Sequence, residues 1–258
     1  MKLYLKYLAI HLKSQMQYKM SFFLTALGQF IVSFTSVLGV YFLMARFQKV
    51  AGFELYEVLL CYAVILMAFS LAECFGNGFQ AFPRMIGNGE FDRMLVRPRN
   101  EVFQVIAARA DFSNIGRFLQ AVLLLAVSIP MSGITWNADR IITLVLMILC
   151  GAVIVFGVYV LCAAFSFFTI EGLEFLNVLT YGGRDFGRYP FSVYGKGVLL
   201  FLTFCVPLAA FQYYPLLYLL GKSTNPLYQG APLFGLIFLV PCYLFWKFGL
   251  RHHKSTGS

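Results

Sequence analysis

The chain has 258 residues, of which 60% are apolar and only 12% charged, with 29 Phe, 15 Tyr and a mean hydropathy of +0.77. Soluble domains carry about 25% charged residues, and so little polar surface cannot cover a globule of this size. A soluble enzyme is therefore excluded, and so is disorder, which needs low hydrophobicity and high charge. The formal net charge of +9 would point to nucleic acid in a soluble protein. In a membrane protein Lys and Arg collect on the cytoplasmic side, so no nucleic-acid partner is expected.

What remains is an all-α polytopic membrane protein forming a single domain over 1–258. Its length allows about six spans at about 20 residues each. In chain order the runs poor in charge are 21–45, 58–82 (interrupted only by Glu73), 118–135, 141–170, 197–220 and 231–248. They are expected to be helices, because an open sheet edge cannot be satisfied in lipid.

Charge orients them. With the N-terminus inside, the cytoplasmic segments hold Lys2, Lys6, Lys13 and Lys19, then Arg84, Arg93, Arg97, Arg99, Arg109 and Arg117. Arg184, Arg188 and Lys196 come next, and then Lys247, Arg251 and Lys254. Only Arg46, Lys49, Arg140 and Lys222 are left outside. This bias predicts both termini in the cytoplasm and a multi-pass protein of the cell (inner or plasma) membrane. No cleavable signal peptide is expected, since Lys6 and Lys13 break the first apolar stretch.

Three segments exceed what simple connection needs. Residues 1–20 place Lys2, Lys6 and Lys13 on one narrow helical face, which predicts a helix lying in the cytoplasmic interface against membrane lipids; a plain charged flank is the alternative. The loop 83–111 carries a turn at Gly87, Asn88 and Gly89, then a short amphipathic helix over 90–96. Glu90 and Asp92 suit its positive end, Pro98 stops it, and a further helical stretch over 100–110 leads into the third span. Such a loop either docks a cytoplasmic partner or merely folds. Residues 171–196 form a Gly-broken amphipathic stretch with Arg184, Asp185 and Arg188. They read as a cytoplasmic or interfacial connector, with Phe175, Leu176, Val178 and Leu179 kept at the membrane.

Chemistry is scarce. Gly221-Lys222-Ser223-Thr224 lacks the earlier glycine of a phosphate loop, where Leu216 stands, and it comes after a membrane helix rather than a strand. Nucleotide energy would therefore have to be bound by another chain. No catalytic residue and no metal ligand set is expected. The cysteines 61, 74, 150, 162, 205 and 242 lie singly in apolar runs, and His11, His252 and His253 stand at the termini, where they are expected to face water. A charge within a span costs about 2.5–3.5 kcal/mol on insertion scales, so Glu73 faces protein or water. It either lines a cavity or pairs with a basic residue of the adjacent loop. The small, polar Gly76, Asn77 and Gly78 stand close after it. The prolines 207, 215, 226, 232 and 241 disturb the fifth run and the residues after it, predicting either an outward-facing re-entrant helical pair before the last span or an ordinary kinked helix.

The stretch Gly89-Glu90-Phe91-Asp92-Arg93-Met94-Leu95-Val96-Arg97-Pro98 resembles the G-x-x-D-x-x-L-x-x-P pattern at the coupling helix of ABC-2-type exporter permeases. Arg188-Tyr189-Pro190, Pro207 and Tyr214-Pro215 are similar to a subgroup of paired permeases, some of them linked to drug or viologen export. The resemblance implies a half-transporter. A second permease, identical or paralogous, would meet this one around a central route for an amphipathic or hydrophobic substrate. Two ABC ATPase subunits would hold ATP and Mg, with residues 89–98 seated in them. Glu73, Phe75, Gly76, Asn77, Pro207, Tyr214 and Pro215 are the candidates for the route. Two other readings compete: an ion- or proton-coupled carrier using Glu73, and a non-transporting scaffold or immunity factor.

Overall fold

The computed structural model describes residues 2–169 and 178–253. Phe175 and Leu176, Ile170 at the end of the fourth run, and Lys254 lie outside the described residues. Among the described residues there are helices and no strand. Five helical segments are long and apolar enough to cross a membrane: Lys19–Phe47, Leu55–Gly87, Phe112–Met131, Ala138–Phe165 and Pro226–His252. The protein is thus an all-α polytopic membrane protein, and its fifth crossing is made of pieces.

The helices are α1 (Lys2–Gln17), α2 (Lys19–Phe47), α3 (Leu55–Gln80), α4 (Phe82–Gly87), α5 (Glu90–Leu95) and α6 (Glu101–Ala108). After them come α7 (Ile115–Met131), α8 (Ala138–Phe165), α9 (Tyr181–Phe186), α10 (Lys196–Phe204), α11 (Leu208–Leu219), α12 (Pro226–Gly235) and α13 (Leu239–His252). The centre is α3, which is buried along most of its length and packs mainly on α7 and α8. The long apolar run of α3 has no polar stripe because neighbours cover it all round.

Hydrogen bonds define the two ends of the bundle. At one end, called upper here, Lys222 reaches the Gly52 carbonyl at 2.9 Å and Glu57 at 2.5 Å, while Gln229 reaches the Asp139 carbonyl at 3.4 Å. At the lower end α1 lies against α6 and the start of α7. His11 Nε2 meets the Ala107 carbonyl at 2.8 Å, Gln15 donates to the Ala110 carbonyl at 2.6 Å, and Phe112 N–H donates back to Gln15 at 3.0 Å. His11 is therefore held by backbone rather than facing water. Between Glu57 and Glu73 helix α3 rises about 24 Å at 1.5 Å per residue. That is close to the hydrocarbon thickness of about 30 Å, so these two acids bracket the apolar part of the bundle.

The lower end of α3 is clamped by α6. A Cβ at Gly78 would lie 1.9 Å from the Val105 carbonyl oxygen, so only glycine permits the approach. Asn100 caps α6 by accepting from Phe103 N–H at 3.1 Å, and Asp111 N–H donates to the Cys74 carbonyl at 3.1 Å.

The fifth crossing differs most from the sequence reading. The described part of 171–196 packs along the middle of α3 rather than beneath it. Gly183 lies against Phe69 and Leu208, and Gly187 against Ile65, where added Cβ atoms would come within 3.2–3.5 Å and 2.7 Å. Gly183, read together with Gly182 as a break in the helix, and Gly187 form the flat face that lets the segment approach. The chain then turns, and α10 meets α11 at a bend of 112°. The break falls at Pro207, which precedes α11, while Pro215 is accommodated inside α11. The result is sharper than a kinked ordinary helix: a pair of helices joined at a corner, in the form of a broken crossing or a re-entrant pair. The chain rises along α3 through α9, runs crosswise in α10 and rises again in α11. The prolines 226 and 232 lie in α12, which continues through a short 3-10 turn into α13 as one crossing.

Replacing Gly78 with Ala should push α6 off α3. Thermal unfolding of the purified protein, read by size-exclusion chromatography, is expected to show a loss of about 2 kcal/mol or more, whereas Gly87→Ala, with open space at its Cβ, should leave the transition in place.

Candidate functional site

Two constellations stand out, one below the bundle and one within it. The lower one is built on α5. Gly89 precedes α5 with φ +65°, a left-handed conformation glycine adopts without strain, and the turn aims α5 back under the bundle. Phe91 is fully buried and plugs into an aromatic cluster. Its ring lies 4.8 Å from Phe82, 5.6 Å from Phe167 and 6.3 Å from Trp246, and Phe82 and Trp246 are themselves 4.7 Å apart. Each such pair contributes about 0.5–1.5 kcal/mol beyond its area. The cluster joins α5 to α4, to the turn after α8 and to α13.

Asp92 and His253 Nε2 meet at 2.9 Å, which ties α5 to the residue just past α13. His253 is therefore engaged rather than free in water, and His252 Nδ1 meets the Phe248 carbonyl at 2.9 Å. Gln104 of α6 donates to the Met94 and Arg99 carbonyls at 3.0 and 3.1 Å, closing the end of α5. Lys247 of α13 pairs with Glu101 of α6. Burial alone would raise the Glu101 carboxyl, but the Lys247 ammonium and the residue's own backbone N–H outweigh it and hold the group below its ordinary value.

The remaining residues of the motif point outward. Arg93, Arg97 and Pro98 are exposed, Leu95 is 42% and Val96 85% exposed, and Glu90 and Gly89 are half-buried. The motif thus divides: Phe91 and Asp92 brace the loop, while Leu95 and Val96 form an apolar tip rimmed by arginines.

The inner constellation centres on Glu73, which is 4% exposed. Arg117 forms an ion pair with its Oε2, Arg184 donates to its Oε1 at 3.1 Å, and the Tyr159 hydroxyl lies 3.4 Å from Oε1. Arg117 sits in the first turn of α7, where the helix dipole disfavours a cation; Glu73 and the Asn114 side chain, which accepts from Arg117 at 2.6 Å, compensate. Three helices therefore converge on one carboxylate. Nearby, Gly76 faces the rings of Phe156 and Tyr159 (3.2 Å from an added Cβ), Asn77 is half-buried and Phe75 is exposed.

Pro207 and Tyr214 lie elsewhere. They line a cleft of about 830 Å³ between α10, α11 and α12, together with Thr203, Leu161 and Phe238, while Pro215 is buried beside it. Tyr214 and Thr203 hydroxyls meet at 3.0 Å. The structure thus separates the seven candidate route residues into two groups. Sequence reasoning missed Trp246, Phe167, Arg184 and Gln212. The buried Gln212 donates to the Gly187 and Tyr189 carbonyls at 3.2 and 2.9 Å and to Cys61 Sγ at 2.8 Å, ending the α9 rise. A polar Gln inside an apolar run was the available signal. Among the described residues no three His, Cys, Asp or Glu side chains lie together in a manner fit for a metal.

Long apolar helices fit to cross a membrane, with a braced helical loop at their lower end, describe a polytopic membrane protein. Residues 30–257 match the family described as ABC-2 family transporter protein, and the chain belongs to that family. No curated protein and no solved structure matches it. Members of this family are transmembrane components that are not themselves catalytic and work with an ATPase subunit.

This geometry has two testable outcomes. Glu73→Gln leaves two guanidinium groups without their shared carboxylate and should destabilise the protein by about 3–5 kcal/mol; Glu73→Asp should recover part of that loss, read by thermal unfolding. The Glu101 carboxyl lies below its ordinary value of about 4.3, so its contact with Lys247 contributes fully above that pH and is lost as pH falls through the lowered value. Glu101→Gln should therefore flatten the acid limb of the unfolding temperature between about pH 5 and pH 3.

Proposed function

We propose that this chain is the permease subunit of an ATP-driven exporter of the cell (inner or plasma) membrane, and that α5 is the element through which a separate ATPase acts on it. The observation that carries this reading is the division of the motif. An exposed Leu95–Val96 tip rimmed by Arg93 and Arg97 fits a partner, while Phe91 and Asp92 hold the same six-residue helix rigidly against α4, α13 and the turn after α8. A push on the tip would reach three crossings without being absorbed in the loop.

In this reading two ATPase subunits hold ATP and Mg, two permeases (identical or paralogous) meet around the route, and the amphipathic α1 lies in the interface on that side. Its exposed Leu5 and Ile10 suit acyl chains, and its lysines suit headgroups. The similarity of Arg188-Tyr189-Pro190, Pro207 and Tyr214-Pro215 to paired drug or viologen exporters supports an amphipathic or hydrophobic cargo. A carrier driven by protons through Glu73 would need a carboxyl free to exchange its proton, whereas Glu73 is held by Arg117 and Arg184. A scaffold would leave the rigid, outward-pointing tip without a task.

Leu95→Glu with Val96→Glu should lower co-purification of a co-expressed ATPase subunit at least about tenfold, equivalent to about 1.4 kcal/mol, with the unfolding temperature unchanged because both side chains are exposed. Undiminished association and ATPase activity would remove α5 from the docking role.

A further inference from the structure

Lys196 stands at the start of α10, in Gly195-Lys196-Gly197, with all three residues exposed. Its height is set by its neighbours. Glu73 marks the lower and Glu57 the upper limit of the apolar zone along α3. Gly187 packs on Ile65, which at 1.5 Å per residue is about 12 Å above Glu73, midway across that zone. Tyr194 is at the same height: its hydroxyl donates to the Phe186 carbonyl at 2.8 Å, and its ring lies 5.3 Å from that of Phe186. Lys196 is two residues further on, within about 7 Å. The crosswise course of α10, bent 112° from α11, keeps it there, because the other end of α10 leads to Leu208 beside Phe69 and Gly183. This course sets Lys196 level with the middle of α3 rather than with its lower end.

A lysine at mid-depth does not face hydrocarbon unpaired. Among the described residues Lys196 has no ion pair and no hydrogen-bond partner. The described carboxylates in this zone are both engaged: Glu73 with Arg117 and Arg184, and Asp185 with Arg188 at 2.6 Å. From the level of Glu73 up to below that of Glu57, the described residues thus set four cations (Arg117, Arg184, Arg188 and Lys196) against two acids. A second copy of the chain would bring the same surplus, and its described acids at this height are already paired. An anion passing through would meet the unpaired charge.

We propose that Lys196 lines the translocation route and selects an anionic amphiphile, its ammonium pairing with a phosphate-like or carboxylate headgroup. The proposal rests on the exporter reading above and names its class of substrate. The exposed Leu200 and Phe204, one and two turns along α10 from the lysine, would carry the apolar tail.

The test uses the full chain in phosphatidylcholine nanodiscs, with Cys205→Ser removing the exposed native thiol and Leu200→Cys reporting on the site. A charged, membrane-impermeant methanethiosulfonate reagent is expected to label the thiol at position 200. Sub-micellar dodecyl phosphate should protect it at a concentration about tenfold lower than dodecyltrimethylammonium does, with dodecylphosphocholine between them. Lys196→Gln should abolish the difference and Lys196→Arg should keep it. Absence of labelling, equal protection by all three amphiphiles, or a preference that survives Lys196→Gln would each overturn the proposal. Co-purification of the ATPase is scored on the same preparations, so failure of the exporter reading shows separately: charge-selective protection without an ATPase partner would sink that reading alone.

Discussion

The interaction on which the bundle depends is the carboxylate of Glu73 shared between Arg117 and Arg184. Taking one acid and two guanidinium groups out of water costs several kcal/mol per ion unless they meet with good geometry, so each of the three side chains fixes where the others must be. Arg117 sets the height at which α7 begins against α3, and Arg184 sets the height at which the fifth crossing starts its rise. With that level fixed, Gly183 and Gly187 bring the rising segment against Phe69 and Ile65, and Gln212 ends it by bonding the carbonyls of Gly187 and Tyr189. The broken α10–α11 corner and its cleft depend on this one level.

A second consequence is mechanical. Below Glu73, α3 is clamped to α6 at Gly78, and α6 is tied to α13 through Glu101 and Lys247 and to α5 through Gln104. Phe91 brings α5 into the ring cluster of Phe82, Phe167 and Trp246. The loop is therefore a rigid extension of three crossings rather than a tether. The crosswise α10 has fewer neighbours, with much of its surface exposed. A structure in which a stiff lower end meets a loosely covered middle suits a device in which force applied at one place is felt as rearrangement at another.

Much of this was legible in the amino-acid order, and the reasons are specific. The hydrophobic runs mark the crossings because a span needs only enough consecutive apolar residues, and each run found its helix to within a few residues, except the fifth. The helix over 90–96 was legible from Gly89, the early acids and Pro98, and it forms as Glu90–Leu95. The roles of Phe91 and Asp92 inside that helix were not, because an inward-facing and an outward-facing residue of a short motif look alike until neighbours are known. The contacts of 178–196 with the middle of α3 were not legible, because its charges and glycines read equally as a connector. An arginine tolerated in the apolar zone through a partner carboxylate is indistinguishable, in one dimension, from an arginine in water.

The sequence by itself determined the class of molecule, its all-α architecture, the number of crossings it can make and the segment that extends beneath them. These rest on hydropathy, charge and turn chemistry, which are properties of single residues and short stretches. Only the tertiary structure decided that Glu73 joins Arg117 to Arg184, which stands 111 positions after Glu73, and that Gly183 and Gly187 lie flat against Phe69, Leu208 and Ile65. Each of these depends on which residues meet across the bundle, and that is set by the cost of leaving a buried charge or carbonyl without its partner.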